Sequence, residues 1–272
     1  MTTGSMTTRR TFLGAALAAG AAFAKPENGL KLGVASYSFR KLTRAQAIAG
    51  MKELNTPYIN IKEFHLKYIS TPEEIAAARK EFAAAHLEVL GGGNIDLKGD
   101  EPKLRKMFDY AKAAGFSLIV CAPARNNVQL VEKLVKEYNI KAAIHNHGPE
   151  DKEFPSPQSV LDAVKGMDPR MGLCIDIGHT ARTGADVMAS IREAGSRLLD
   201  LHVKDLRSLS NKDSQCIVGE GAMPIKEIFA ELKKMKFTGG VMLEYEIDAD
   251  NPLPGMVKSF ANMRRVLGGL KS

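Results

Sequence analysis

Four hydrophobic runs in the second half of the chain each end in a side chain that can bind a metal ion or move a proton. In chain order these side chains are His145, Asp176, His202 and Glu244. Imidazoles and carboxylates ligate divalent metals and also serve as general acids and bases. One such residue at a strand end commonly only caps a turn. Their recurrence on four consecutive runs therefore indicates one shared metal site.

The residues beside these four extend the candidate set. Alternate residues of a strand lie on one face, so His147 shares a face with His145, Lys204 with His202, and Glu246 with Glu244. Either histidine of the first run could then be the ligand. Imidazoles with two carboxylates favour Mn²⁺, Zn²⁺, Co²⁺ or Fe²⁺, whereas carboxylates alone would have favoured Mg²⁺ or Ca²⁺.

Strand and helix patterns alternate along the chain from Leu30 onward. The predicted strands cover 32–36, 57–62, 87–90, 116–121, 141–145, 172–176, 198–203 and 241–244. The predicted helices cover 43–54, 70–86, 101–114, 128–138, 157–165, 186–194, 224–235 and 254–267. Eight strand–helix units in one domain of residues 25–272 predict a (β/α)₈ TIM barrel. In such a barrel the polar strand ends converge on one mouth.

A doubly wound open sheet is the alternative fold. It is disfavoured because no Gly-x-Gly-x-x-Gly follows the first strand. The run Gly91-Gly-Gly-Asn94 is interpreted as a tight turn that closes the third strand.

Composition limits the class of protein. The net charge is +7, of which Arg9 and Arg10 carry two units, and the other basic residues lie among acids, so nucleic acid is not an expected partner. No internal apolar run reaches the roughly 18 residues of a membrane span. Of the three cysteines, Cys121 and Cys174 are expected as buried thiols, with a bridge between them left open, and Cys216 is expected in a polar loop.

Residues 1–24 have the pattern of an export signal. Arg9-Arg10-Thr-Phe-Leu13 precedes a weakly hydrophobic run, and Ala22-Phe23-Ala24 offers a cleavage site. The paired arginines resemble a twin-arginine signal, which implies export of a folded chain to the periplasm by the twin-arginine machinery. A periplasmic location, with no stable membrane span after cleavage, is therefore expected.

From about Leu30 to the C-terminus the chain resembles the xylose isomerase-like barrels, also called the sugar phosphate isomerase/epimerase superfamily. The resemblance rests on these motifs: Leu32-Gly-Val-Ala-Ser-Tyr-Ser-Phe-Arg40, His145-Asn-His-Gly148, Cys174-Ile-Asp-Ile-Gly-His179, Leu201-His-Val-Lys-Asp205, Gly219-Glu-Gly221 and Leu243-Glu-Tyr-Glu246.

The resemblance implies a divalent metal, most often Mn²⁺, bound by residues of strands five to eight. Its ligands would include Asp176, His202 and Glu244, and His179 would contact substrate. The strand-five glutamate of the epimerases is absent, and His145 or His147 stands there instead. An imidazole can replace it as a ligand but is a poorer base. The turn around Glu220 would lie beside the site.

Strand two ends in Lys62, followed by His65. Lys62 either points into the barrel mouth as a base or anion ligand, or extends along the rim. The candidate catalytic residues are thus Glu244, Lys62 and His179, and the candidate substrate-binding residues are His179, Lys204, His65 and Glu220.

These residues predict a metal-dependent isomerase or epimerase that removes a proton next to a carbonyl group of a sugar or keto-sugar. A lyase acting on 3-keto-glycosides by elimination is the alternative. An endonuclease of the abasic-site type, which would need more metal ligands, and a non-catalytic periplasmic sugar-binding barrel are further alternatives. The expected partner is a small sugar or glycoside, and homo-oligomerisation is left open.

Overall fold

The computed structural model describes Met1 and residues 26–270. Almost all of the predicted export signal therefore lies outside the described residues. The strands are β1 Lys31–Ala35, β2 Tyr58–Ile61, β3 Glu88–Leu97, β4 Leu118–Pro123, β5 Lys141–His145, β6 Met171–Asp176, β7 Leu198–Val203, β8 Asp205–Leu206, β9 Gln215–Cys216 and β10 Gly240–Leu243. The helices are α1 Arg44–Glu53, α2 Pro72–Ala84, α3 Glu101–Ala114, α4 Val128–Tyr138, α5 Pro157–Ala163, α6 Ile177–Arg182, α7 Val187–Ala194, α8 Ile225–Lys234 and α9 Leu253–Gly268.

Eight parallel strands form a closed barrel in the order β1-β10-β7-β6-β5-β4-β3-β2. The helices between them pack outside, and one large hydrophobic cluster fills the layer between strands and helices. This is the predicted (β/α)₈ TIM barrel, with β10 as its eighth strand. Because all barrel strands run in the same direction, their C-terminal ends meet at one mouth.

Capping residues read from the sequence set where several helices begin. Thr43 caps α1 and Thr71 caps α2, each with a reciprocal hydrogen bond from the third helical position, and Pro72 occupies the first turn of α2. Asp100 caps α3 through the backbone N–H of Lys103. Local side-chain chemistry therefore fixed these boundaries.

The glycine run at 91–93 is not the predicted turn. β3 continues through it to Leu97, and its register against β4 shifts between Gly92 and Ile95. A Cβ atom on Gly91 would lie 2.6 Å from the carbonyl oxygen of Leu118. These glycines instead allow the backbones of β3 and β4 to approach closely, which a sequence pattern cannot distinguish from a turn.

Two further elements were not predicted. The short helix α6 starts directly after β6, and the antiparallel pair β8–β9 lies between β7 and α8. The pair places Cys216 in a strand as a buried residue, so its predicted loop position was wrong. Cys121, Cys174 and Cys216 are all buried free thiols, as expected of small apolar side chains.

A polar pair crosses the interior of the barrel below the mouth. Asn60 of β2 donates from Nδ2 to Oδ2 of Asp200 on β7, at 2.5 Å, although these strands are not neighbours in the sheet. Both side chains are buried, and burial raises the pKa of Asp200 to about 6. Asp200 precedes His202 by two residues and therefore shares its inward face.

Candidate active site

Four residues at or next to the C-terminal ends of β5, β6, β7 and β10 converge at the barrel mouth. His145, Asp176, His202 and Glu244 each place one ligand atom within 4.8 Å of those of the other three. His145 Nε2 lies 3.0 Å from His202 Nδ1 and 3.6 Å from Asp176 Oδ2, and His202 Nδ1 lies 3.3 Å from Glu244 Oε2. All four are buried. The structure thus brings together the residues that the strand-end pattern selected.

The structure also separates the two strand-five histidines. His147 Nε2 lies 2.8 Å from Asn94 Nδ2, and its Nδ1 lies 3.2 Å from Asp151 Oδ2. Both ring nitrogens of His147 therefore have polar neighbours outside the cluster. His145 instead directs Nε2 into the cluster, and burial first, then His147, lowers its pKa to about 3. A neutral imidazole retains the lone pair that a metal ligand needs.

Lys204 occupies the same buried space as a fixed cation. Its ammonium lies 3.0 Å from Asp176 Oδ2, 3.0 Å from Glu244 Oε2 and 3.1 Å from Glu246 Oε1. Burial opposes the charge of Glu244, but Lys204 and His202 outweigh that effect and hold the pKa of Glu244 well below its ordinary value. Both carboxylates of the cluster are therefore kept ionised.

A cavity of about 190 Å³ opens above the cluster. It is lined by Tyr37, Lys62, Asn94, His145, His147, His179, Glu244 and Glu246. The volume is smaller than the roughly 300–1,000 Å³ of pockets for drug-sized molecules. A ligand of about one sugar ring is therefore favoured over a larger one.

Lys62 lines the cavity, which agrees with the first of its two predicted placements, in the barrel mouth. Its Nζ donates a hydrogen bond to the carbonyl oxygen of Asn94 at 2.5 Å. Burial lowers the pKa of Lys62 below its ordinary value, and the acidic residues Glu63 and Glu244 only partly oppose this. A lysine in this environment loses its proton more readily than one in water, which suits a base.

Three predicted substrate-binding residues, His65, Lys204 and Glu220, lie outside the cavity lining. His65 is buried and pairs through Nδ1 with the hydroxyl of Ser36 at 3.0 Å. Glu220 is exposed, and the glycines on either side of it donate backbone hydrogen bonds to Asp205 Oδ2. In this arrangement His65 and Glu220 do not line the cavity, and a substrate-binding role for each stays a prediction.

Sequence reasoning missed three residues beside the candidates. Tyr37 and Asn94 line the cavity, and Arg182 contacts His179. Tyr37 lies within the motif of residues 32–40, but nothing in its spacing distinguishes a cavity residue from a core aromatic. Asn94 was hidden by the mistaken turn. Arg182 follows His179 by three residues, a helical spacing that only the unpredicted α6 reveals.

The residues of the cluster fit a divalent metal. Bonds of about 2.0–2.2 Å in a tetrahedral site put ligand atoms about 3.3–3.6 Å apart, close to the separations found here. Asp176 Oδ2 is buried, and among the described residues its contacts, including the ion pair with Lys204 Nζ at 3.0 Å, lack hydrogen-bond geometry. Two imidazoles with two carboxylates suit Mn²⁺, Zn²⁺, Co²⁺ or Fe²⁺. Lys204 contacts one oxygen of each carboxylate, Asp176 Oδ2 and Glu244 Oε2, and reduces the negative charge of the set.

Comparison with known proteins identifies the fold family. The family model described as "Xylose isomerase-like TIM barrel" matches residues 73–266. The chain belongs to this family. The solved structure of an uncharacterised protein from Parabacteroides distasonis is 26% identical, with a TM-score of 0.69, and covers 87% of this chain and 99% of its own.

Relatives of this barrel family with named activities are more distant. The inosose dehydratase of Lactiplantibacillus plantarum is 26% identical over 144 residues, which are 44% of this chain and 46% of that protein. The structure of 3-keto-D-glucoside 4-epimerase from E. coli has a TM-score of 0.71 at 15% identity, covering 87% of this chain and 99% of its own. The chain spans less than half the length of the curated relatives that it matches.

Two further observations concern the excluded classes. No helix among residues 26–270 is both long and apolar enough to cross a bilayer. Within that same part of the chain, the groups with metal-ligand geometry are one cluster and a variant of it that shares His145 and His202. The additional ligands that an abasic-site endonuclease would need are not found in the described residues.

Proposed function

We propose that this chain is a metal-dependent enzyme that removes the proton next to a carbonyl group of a single-ring sugar or keto-sugar, as an isomerase or epimerase. One observation carries the proposal. Of the four clustered candidate ligand residues, His145 and Glu244 line a cavity of about 190 Å³, and Lys62, a lysine of lowered pKa, lines the same cavity. Membership of the xylose isomerase-like family supports the same class of reaction.

A divalent metal in the cluster would supply a Lewis acid that stabilises negative charge on substrate oxygens. His145, Asp176, His202 and Glu244 would hold it. Because these four residues are buried and close together, they would fix the position of the reacting part of the sugar before any proton moves.

Lys62 is the proposed base. Its amine takes the proton from the carbon next to the carbonyl, the electron pair of the C–H bond forms a carbon–carbon double bond, and the π pair of the carbonyl moves onto its oxygen. Returning the proton to the former carbonyl carbon, while the hydroxyl proton of the neighbouring carbon moves to the former carbonyl oxygen, isomerises the sugar. Glu244 is a poorer proton acceptor than its position alone would predict, because Lys204 and His202 hold its pKa low.

An elimination is the second candidate, and the composition of β5 favours it. Inverting a carbon by two bases requires a proton acceptor on each face of the substrate, and β5 offers the imidazole of His145 where the epimerases have a carboxylate. A single base with a proton donor suffices for loss of water or of an aglycone. The dehydratase among the curated relatives is consistent with this second reaction.

Incubation in D₂O with a panel of keto-sugars and 3-oxidised glycosides tests the proposal. The metal-loaded enzyme should introduce deuterium next to the carbonyl, and the products distinguish isomerisation from elimination. Glu244→Gln should lose the exchange. If no compound exchanges and Glu244→Gln still binds sugar as tightly as the wild type, the non-catalytic sugar-binding barrel is the better assignment.

A further inference from the structure

Arg182 contacts His179 from the side of the ring that faces away from the metal-ligand cluster. Its Nη1 lies 3.0 Å from His179 Nδ1. A guanidinium has only N–H donors and no acceptor, so Nδ1 must be the acceptor in this contact. A neutral imidazole has one bare nitrogen and one N–H group. The proton of neutral His179 is therefore on Nε2.

Several features hold Arg182 in this position. Its side chain is only 5% exposed, and Nη2 forms an ion pair with Oε1 of Glu150. Gly148 adopts a φ of +87°, and a Cβ atom there would lie 3.1 Å from Arg182 Nη1 and 3.3 Å from His179 Nδ1. The glycine thus leaves the room that the Arg182–His179 contact requires.

The opposite edge of the ring faces the reaction space. His179 lines the cavity, and its Nε2 lies 3.9 Å from Asp176 Oδ2. That distance is longer than a hydrogen bond, so Asp176 Oδ2 does not accept one from the Nε2–H group of His179. The backbone N–H of His179 donates to Asp176 Oδ1 at 2.8 Å, which caps the start of α6.

We infer that Arg182, held by Glu150, is a positioning residue that fixes His179 as a donor from Nε2, so that His179 donates a hydrogen bond to a substrate oxygen and does not act as a base. The tautomer follows from the contacts alone. The substrate oxygen rests on the proposed function.

In the reaction, the partner of His179 is the carbonyl oxygen of the substrate. When the C–H electron pair forms the carbon–carbon double bond, the π pair of the former carbonyl moves onto its oxygen. That oxygen gains negative charge and accepts a stronger hydrogen bond from Nε2–H, while His179 keeps its proton. A donor aimed at developing charge of this kind is worth about 10²–10³ in kcat. The candidate bases are thereby reduced to Lys62 and Glu244.

The tautomer can be observed without any substrate. In the ¹⁵N-labelled protein at pH 8, about 1.5 units above the ordinary pKa of imidazole, long-range ¹H–¹⁵N correlation separates the bare nitrogen from the protonated one. The spectrum of His179→Asn identifies the His179 signals by their loss. We expect a protonated Nε2 and a bare Nδ1. A protonated Nδ1 would overturn the inference.

Variants of the arginine test its role. Arg182→Lys retains a donor and should keep the wild-type tautomer. Arg182→Met removes the donor and should admit the tautomer protonated at Nδ1. Arg192→Met, which breaks the looser 3.6 Å contact of Arg192 with Glu231, is the control and should leave the His179 signals unchanged. If Arg182→Met also leaves them unchanged, Arg182 does not set the tautomer. If Arg182→Met does not fold, the wild-type and Arg182→Lys spectra test the inference, and a protonated Nδ1 in either of them would contradict it.

Kinetics test the link to the substrate once an exchanging sugar is known. Loss of a residue that orients a catalytic group commonly costs about 10- to 100-fold in activity. Arg182→Met should lower kcat by that amount with little change in KM, and Arg182→Lys should recover most of it. An effect confined to KM would contradict the assigned role while leaving the tautomer result intact. Absence of activity in the wild type would count against the proposed function alone.

Discussion

Lys204 Nζ lies 3.0 Å from Glu244 Oε2, and these two side chains are only 4% and 10% exposed. The ammonium also touches Asp176, so one buried cation serves both carboxylates of the cluster. Removing one partner of a buried ion pair typically costs about 3–5 kcal/mol, because the remaining charge is left uncompensated. Lys204→Met should therefore destabilise the metal-free protein by roughly that amount, and added Zn²⁺ or Mn²⁺ should restore part of it.

Chemical denaturation with and without chelator measures this change. Because the folded pKa of Glu244 lies below its ordinary value, the stabilising effect of the pair is present above about pH 4.5 and is lost as the pH falls towards the folded pKa. The difference in the free energy of unfolding between the wild type and Lys204→Met should therefore become smaller in acid. Lys41→Met is the matched control, since Lys41 and Asp250 lie equally close at 2.9 Å but are 55% and 83% exposed. An equal effect in both variants would contradict the argument.

Asp176→Ala should abolish metal binding. The variant loses one of only two carboxylates in the proposed ligand set, and neutral imidazoles compensate little of the charge of a divalent ion. Metal content per chain after dialysis, measured by mass spectrometry, checks this. His147→Gln is the control, because both nitrogens of His147 face partners outside the cluster, and it should keep full occupancy. Retained metal in Asp176→Ala would refute the site.

Lys62→Arg should lower the rate by about 10²–10⁴, the usual contribution of one positioned base. Arginine keeps the charge but cannot lose its proton at accessible pH, so the variant separates a base from an anion ligand. In the wild type, kcat/KM should rise as the pH increases through the pKa of Lys62, which burial places below the ordinary lysine value. A rate that falls across that range would make Lys62 an acid instead.

Gly91→Ala should destabilise the barrel by about 1–3 kcal/mol, the usual cost of overpacking. The new methyl group would lie 2.6 Å from the carbonyl oxygen of Leu118, so β3 or β4 must move. Gly268→Ala places a methyl group near the end of α9, where no atom lies within 4 Å, and should be neutral or slightly stabilising. Thermal unfolding of the two variants compares them directly. Equal melting temperatures would contradict the close approach of β3 and β4 as the reason for glycine at this position.

Replacing Arg9 and Arg10 together by lysine should leave the protein in the cytoplasm with its metal bound. The twin-arginine interpretation requires both guanidinium groups, which lysine does not reproduce. Cell fractionation followed by immunoblotting measures the distribution. Replacing Lys25, outside the paired-arginine motif, by arginine is the control and should not alter delivery. Unchanged periplasmic delivery of the double variant would show that the pair is not the signal.

The sequence by itself determined the barrel and most of its candidate metal-ligand cluster. Alternating strand and helix patterns are local, and in a parallel barrel every strand end is carried to the same mouth. Topology alone therefore predicted that Asp176, His202, Glu244 and one of the two strand-five histidines would lie together. The shared face of Glu244 and Glu246 follows from strand periodicity, and both indeed contact Lys204.

Only the tertiary structure decided which atoms touch. His145 and His147 are equivalent by periodicity, but Asn94 and Asp151 approach the ring of His147, while the ring of His145 meets His202. The choice depends on a loop and on β3, whose glycine run a local pattern could not separate from a turn. The contact that orients His179 likewise requires α6, a helix of six residues with no amphipathic period of its own to reveal it. Residues distant in sequence are fixed by packing across the barrel, where local propensities carry no information.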